Sequence, residues 1–154
     1  MKGVEESHTV QSYLLMPGHM NGAGTLFGGQ LLSWIDMLAG IVALRHAEGN
    51  VMTVAIDHLN FRHGAHPGDI VTLDGRVTWT GRTSMEVKID TWRERYGTEK
   101  QLINTAYLVM VAVDENEKPI PVPGLKLDSE EVLREWAAGC RRDQLRKERY
   151  RENF

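Results

Sequence analysis

The chain has 154 residues, 42% of them hydrophobic and 25% charged, and a formal net charge of −3 at pH 7. That is enough for one domain with a real core, and the acidic balance exerts no long-range pull on nucleic acid. Cys140 is the only cysteine, so no intrachain disulfide can form, which fits a reducing, cytoplasmic setting. Residues 1–10 carry charges and no apolar run, so no secretory leader is expected, and no segment reads as a membrane span.

Residues 8–16, with Val10, Tyr13, Leu14 and Leu15, predict a first strand ended by Pro17-Gly18. A polar, glycine-rich loop at 21–25 then runs into a helix that extends to His46. Leu31, Leu32, Ile35, Leu38, Ala39 and Val42 form an apolar stripe at helical spacing, while Trp34, Ile41 and Leu44 fill most of the other face. A helix apolar nearly all round is buried, in a core or against a partner. Asp36 sits within it, and a buried carboxylate costs several kcal/mol unless it is paired or used. Gly29, Ser33, Asp36 and Gly40 share one side at 100° per residue. Glycine costs about 1 kcal/mol in a helix, so two on one strip point to close approach by a ligand or another backbone. Gly49 is expected as the left-handed residue that closes the helix.

From residue 51 the period becomes two. Strands are predicted at 51–61, 70–80, 83–95 and 101–113, with a turn-rich connection at 63–69 and tight turns at 81–82 and 96–98. Short loops imply an antiparallel meander. One long helix and about five strands make an α+β domain in which the sheet wraps the helix. Residues 119–123 hold three prolines and read as an extended crossing segment. Asp128 as N-cap with Glu131 at N3 suggests a capping box before a charged helix that reaches about residue 150. Its basic run, Arg141 to Arg151, reads as a solvated face laced with i,i+4 pairs rather than a nucleic-acid patch.

The helix motif also bears on assembly. Exposed N–H groups at a helix N-terminus bind anions and polarise carbonyls, and Gly28 and Gly29 leave them uncovered. Gly28 and Asp36 are eight residues apart, about 12 Å along the axis, so one substrate carbonyl cannot meet both within one chain. Two helices packed antiparallel across a two-fold axis would bring one chain's Asp36 to the other's N-terminus and make two equivalent sites. Other chemistry finds less support. The six histidines show no metal-ligand spacing, so no metal is expected. Ser33 lacks a nucleophile-elbow context, and Gly22-x-Gly24-x-x-x-Gly28-Gly29 matches neither a dinucleotide fingerprint nor a P-loop. Gly81-Arg82-Thr83-Ser84 gathers a cation, hydroxyls and backbone donors in one turn, which suits phosphate and equally suits a plain hairpin turn.

The pattern Asn21-x-x-Gly24-Thr25-Leu26-Phe27-Gly28-Gly29-x-Leu31-x-x-Trp34-x-Asp36 resembles the hotdog-fold acyl-CoA thioesterases, both the bacterial broad-specificity hydrolases and the brain-type acyl-CoA hydrolases. Pro67-Gly68-Asp69-Ile70-Val71 and Gly81-Arg82-Thr83-Ser84 are similar to that family as well. The likeness covers residues 8–125, and it implies a hotdog domain at 1–127 followed by a helical extension at 128–154. It further implies acyl-CoA hydrolysis with no cofactor beyond the CoA of the substrate, and a homodimer assembled as a trimer of dimers. In site terms it implies Asp36 as catalytic acid, Gly28 and Gly29 as oxyanion donors, and Thr25 at a position that some members fill with Asn or Asp. Asn21, Gly24 and Phe27 would touch substrate, and Gly81, Arg82, Thr83 and Ser84 would hold the nucleotide end. Asp36 would act as general base on water or attack directly. Two alternatives share the fold: a dehydratase or hydratase, for which His19 is the only candidate histidine, and an acyl-CoA sensor without catalysis.

Overall fold

The computed structural model describes residues 1–153, so residue 154 of the expected extension lies outside the described residues. In chain order the elements are a short 3-10 turn at Val4–Glu6, β1 (Thr9–Leu14), a second 3-10 turn at Pro17–His19, α1 (Gly28–Ala47), β2 (Val51–Asp57), β3 (Ile70–Thr80), β4 (Ser84–Glu94), β5 (Gln101–Ala112) and α2 (Glu130–Glu152). The five strands form one antiparallel sheet in the order β1-β3-β4-β5-β2. The α+β expectation of one long helix in a five-stranded sheet, plus a C-terminal helix, holds.

The concave face of the sheet wraps α1. Leu31, Ile35, Leu38, Ala39, Val42 and Ala43 are buried against Leu73, Val77, Val87, Ile89, Leu108 and Met110. The contact is closest at β3. A Cβ on Gly75 would lie 2.8 Å from Ile89 Cδ1 and 3.0 Å from Val42 Cγ2, so only glycine lets the helix sit this deep. Tyr13 of β1 stacks on Trp34 of α1, centroids 4.1 Å apart, and closes that side of the core.

Several expectations need correction. Only β3, β4 and β5 form the meander. β2 pairs with β5 at the far edge, so the connection 58–69 is not a hairpin; it crosses the end of the domain to reach β3. β2 stops at Asp57 rather than residue 61, because His58 adopts φ 62°, outside any strand conformation. Glu48, not Gly49, takes the left-handed position after α1, and its N–H donates to the Leu44 carbonyl. The N-cap of α2 is Ser129, not Asp128. Ser129 Oγ accepts from the Val132 N–H at 3.2 Å, and a cap side chain must sit within that reach of the N3 amide.

The basic run of α2 is not merely solvated. The helix lies across the convex face of the sheet, where Glu86 of β4 is fully buried. Arg142 reaches Glu86 through Nε at 3.0 Å and Nη2 at 2.8 Å, and Arg146 through Nη1 at 3.0 Å. Thr78 Oγ1 adds a bond of 2.7 Å, and Arg146 also meets Asp57 at 3.1 Å. Arg142 stacks on the Tyr107 ring at 3.8 Å. A sheet strand alternates faces, so Glu86 points outward between the core residues Met85 and Val87. Hydropathy reads such an acid as solvent-facing, and only the partner helix shows it to be buried.

Candidate active site

Asp36 sits midway along α1 on the side that the sheet leaves open. Gly29, Ser33, Met37 and Leu44 share this side and are exposed, with Met37 at 54% and Leu44 at 51%. A Cβ on Gly40 would meet nothing within 4 Å. In a single chain, then, the acid expected to be buried is only half-buried, because no element among the described residues covers this strip. Thr53 Oγ1 of β2 donates a hydrogen bond of 2.7 Å to Asp36 Oδ1. Thr53 was not among the expected site residues: a threonine in an edge strand gives no signal until the strand is placed beside the helix.

The helix N-terminus is presented as expected. Phe27 is the N-cap and contributes no side-chain cap bond. Among the described residues, the Gly28 and Gly29 N–H groups have no acceptor, which leaves the first donors of the helix free. The preceding loop is folded by Asn21, whose Oδ1 accepts from the N–H groups of Ala23 (2.9 Å) and Thr25 (3.2 Å). Its Nδ2 donates to Thr25 Oγ1 at 3.0 Å. Gly24 takes φ 79° in this turn, a conformation that suits glycine.

A cleft of about 300 Å³ opens at this end of the helix. Asn21, Thr25 and Gly28 form one wall, and Phe61, Arg62 and His63 of the crossing connection form the other. The Leu26 N–H donates to the Ala65 carbonyl at 2.7 Å and ties the two loops together. Phe61 and Arg62 were not expected here, because 51–61 reads as one strand and 63–69 as a turn to its neighbour. His19 is not in this cleft. Its Nδ1 accepts from the Met16 N–H at 3.0 Å and its ring meets the edge of Trp34, so its role is to hold the loop.

The turn containing Gly81, Arg82, Thr83 and Ser84 is elsewhere. The Gly81 N–H bonds to the Ser84 carbonyl, and the Thr83 carbonyl accepts from Ala112 at the end of β5, beside the start of β2. That places the turn near the C-terminal end of α1. The helix has 20 residues, about 30 Å at 1.5 Å per residue, so one chain holds Arg82 far from its own Gly28. Within a single chain the structure brings together Asn21, Gly24, Thr25, Phe27, Gly28 and Gly29, and separates them from Asp36 and from the 81–84 turn. Among the described residues no cluster of three potential metal ligands occurs, and no helix is long and apolar enough to cross a membrane.

Comparisons with known proteins agree on the family. Residues 23–99 match the thioesterase superfamily. The uncharacterised acyl-CoA thioester hydrolase YkhA of Bacillus subtilis is 37% identical over 150 residues, covering 97% of this chain and 87% of that protein. A solved apo-hexameric acyl-CoA thioesterase superposes with a TM-score of 0.92 at 40% identity, covering 97% of this chain and 98% of its own. The Staphylococcus aureus acyl-CoA hydrolase, solved with butyryl-CoA and CoA, gives 0.91 at 30% identity over 99% of this chain and 93% of that one. Further structures of the staphylococcal enzyme carry alanine in place of an aspartate, an asparagine or a threonine. By sequence match and by fold, this chain belongs to the thioesterase superfamily.

Proposed function

We propose that the protein hydrolyses acyl-CoA thioesters to a free carboxylic acid and CoA, in a homodimer with two composite sites. The observation that carries this is the separation within one chain. The acid and the free amides lie about 12 Å apart on one helix, too far to share a carbonyl, and the strip between them is open. A two-fold axis beside that strip sets Asp36 of one protomer against Gly28 and Gly29 of its partner, and it also brings the partner's 81–84 turn toward this cleft. The surface suits such pairing. β2 is an edge strand with Met52 and Val54 exposed, and an unprotected apolar edge invites a second copy.

In this site the N–H groups of Gly28 and Gly29 hold the thioester oxygen as negative charge develops on it. Asp36 takes a proton from water as the water oxygen attacks the carbonyl carbon, or attacks that carbon itself. The C–S bond then breaks and the thiolate leaves, taking the proton held by Asp36 in the first route and a proton from solvent in the second, where water afterwards hydrolyses the Asp36 mixed anhydride to release the acid and restore the carboxylate. Thr53 orients the carboxylate. Asn21 shapes the loop over the amides and, rather than Thr25, is the polar side chain we assign to the site. The replaced aspartate, asparagine and threonine of the staphylococcal enzyme support these roles: the asparagine precedes the aspartate by 15 residues and the threonine follows it by 17, the spacings of Asn21, Asp36 and Thr53 here. Arg82 would meet a phosphate of CoA. No further cofactor is required, since every step uses side chains and backbone of the two protomers. The hexameric assembly named for a structural neighbour favours a trimer of such dimers. We place this chemistry in the cytoplasm, in keeping with the single free cysteine.

The test is release of CoA thiol across a panel of acyl chain lengths, wild type beside Asp36→Asn, with mass measured by light scattering. The variant should lose activity by about 10²-fold or more with the dimer intact, as expected for loss of a general base. Retained turnover would remove Asp36 from the chemistry, and tight acyl-CoA binding without thiol release in the wild type would make the protein a sensor.

A further inference from the structure

Two polar side chains beneath the sheet do work that the reaction itself does not explain. Asn104 of β5 is fully buried on the concave face, in line with Ala106, Leu108 and Met110. Asparagine is disfavoured in strands, and a buried amide is costly unless bonded. Its Nδ2 donates a 2.7 Å hydrogen bond to the carbonyl of Asn60, 44 residues away in the crossing connection. Arg93 of β4 does the same further along, with Nη1 donating to the Gly64 carbonyl at 2.8 Å while Nη2 is held by Gln101. Between them the Arg62 N–H bonds to the Ile103 carbonyl at 3.1 Å.

Other support for the segment is slight: Leu59 packs at the margin of the core, and the His58 ring meets the Tyr107 ring edge-on at 5.6 Å. The segment starts from His58 at φ 62°, a strained conformation for a side chain of that size. Its residues 58–64 are exposed apart from half-buried Leu59. Yet Phe61 stands over the helix N-terminus, with ring carbons 3.5 Å from where a Cβ on Gly28 would be. Three ties from β4 and β5, together with the Leu26–Ala65 bond at its far end, therefore set the distance between this wall of the cleft and the amides of Gly28 and Gly29.

We propose that Asn104 and Arg93 are positioning residues that hold the 58–64 wall against the α1 N-terminus and so govern how tightly the cleft takes an acyl-CoA. Neither touches the reacting atoms. Asn104→Leu keeps the branched shape of the side chain while removing the donor to Asn60. In steady-state CoA-thiol release well below the melting temperature, its KM should rise about tenfold with kcat little changed, the size expected when a buried carbonyl loses its partner. Amide exchange at 58–64 should quicken in step.

Asn104→Asp supplies a readout that a purely structural role does not move. Burial favours the neutral acid, which can donate to the Asn60 carbonyl, while the carboxylate cannot. Its KM relative to wild type should fall toward unity as pH is lowered, and Asn104→Leu should show no such recovery. Thr91→Val is the control: Thr91 is the cross-strand partner of Asn104, equally buried, and its Oγ1 makes no hydrogen bond to the loop, so KM and exchange should stay at wild-type values. Should Asn104→Leu fail to fold, Arg93→Met removes the second tie from a less buried site and should raise KM in the same way. A wild-type KM and unchanged exchange in Asn104→Leu or Arg93→Met overturn the proposal. The KM arm rests on the hydrolase reading, the exchange arm does not. Absence of thiol release in the wild type sinks that reading alone, while unchanged exchange sinks this one.

Discussion

Replacing Glu86 with glutamine tests whether α2 is held by a buried charge cluster or merely rests on the sheet. The side chain is wholly inaccessible and receives two bonds from Arg142, one from Arg146 and one from Thr78. The substituted amide would keep the shape and drop the charge, leaving the Arg142 guanidinium, 15% exposed, against a neutral partner and Arg146, 13% exposed, with Asp57 as its remaining carboxylate. Breaking a buried ion pair by removing one partner costs about 3–5 kcal/mol, because the remaining charge stays desolvated. For a domain of this length each kcal/mol shifts Tm by about 2–4 °C, so Glu86→Gln should melt about 6–20 °C below wild type. Circular dichroism in the far ultraviolet, with urea titration alongside, measures this. Acid adds a second arm. Burial raises the Glu86 pKa, but Arg142, Thr78 and Arg146 outweigh it and hold it below the ordinary glutamate value. A depressed carboxylate stabilises the fold above its unfolded value of about 4.3 and loses that contribution as pH falls through the folded one. The variant should therefore show a flatter acid limb. A Tm within about 2 °C of wild type would refute the reasoning and mean that water reaches the cluster and screens it.

Other expectations follow from the same geometry. Thr53→Val removes the donor to Asp36 and should lower kcat by about tenfold or more with little change in KM, as loss of a hydrogen bond to a charged group predicts; stopped-time thiol assays would check it. Gly75→Ala drives a methyl into Ile89, Val42 and Leu38 and should cost about 1–3 kcal/mol in urea unfolding. His46 is fully buried; burial lowers its pKa, with Nε2 bonded to the Pro123 carbonyl and Nδ1 without a partner among the described residues. The unfolded chain takes up a proton below about pH 6.5 before the folded one does, so stability falls as pH falls through that value, and His46→Gln should lessen the fall between about pH 7 and 5.5 in urea titrations. Met52→Lys with Val54→Lys places charge on the β2 edge and should yield folded protomers without activity, seen as a lower mass in light scattering.

The helix, its apolar stripe and the glycines at its start were legible in the sequence because helical periodicity and glycine carry local signals. So was the change to period two after residue 51, since alternation follows from the pleat. The distance between Asp36 and Gly28 was legible too, being fixed by the helical rise alone. Strand order was not. Nothing local distinguishes a hairpin at 58–69 from a crossing that carries Phe61 and Arg62 to the helix N-terminus. Thr53, Asn104 and Glu86 shared this fate, for each is a polar residue in a strand whose meaning depends on what lies across from it. Which cap closes a helix is decided within a few ångströms by the chain's path, as Ser129 and Glu48 show. Periodicity and covalent geometry act over a turn or two and are written in the order of residues. Burial, and with it the state of every buried charge, is a property of surfaces that meet only when distant segments pack.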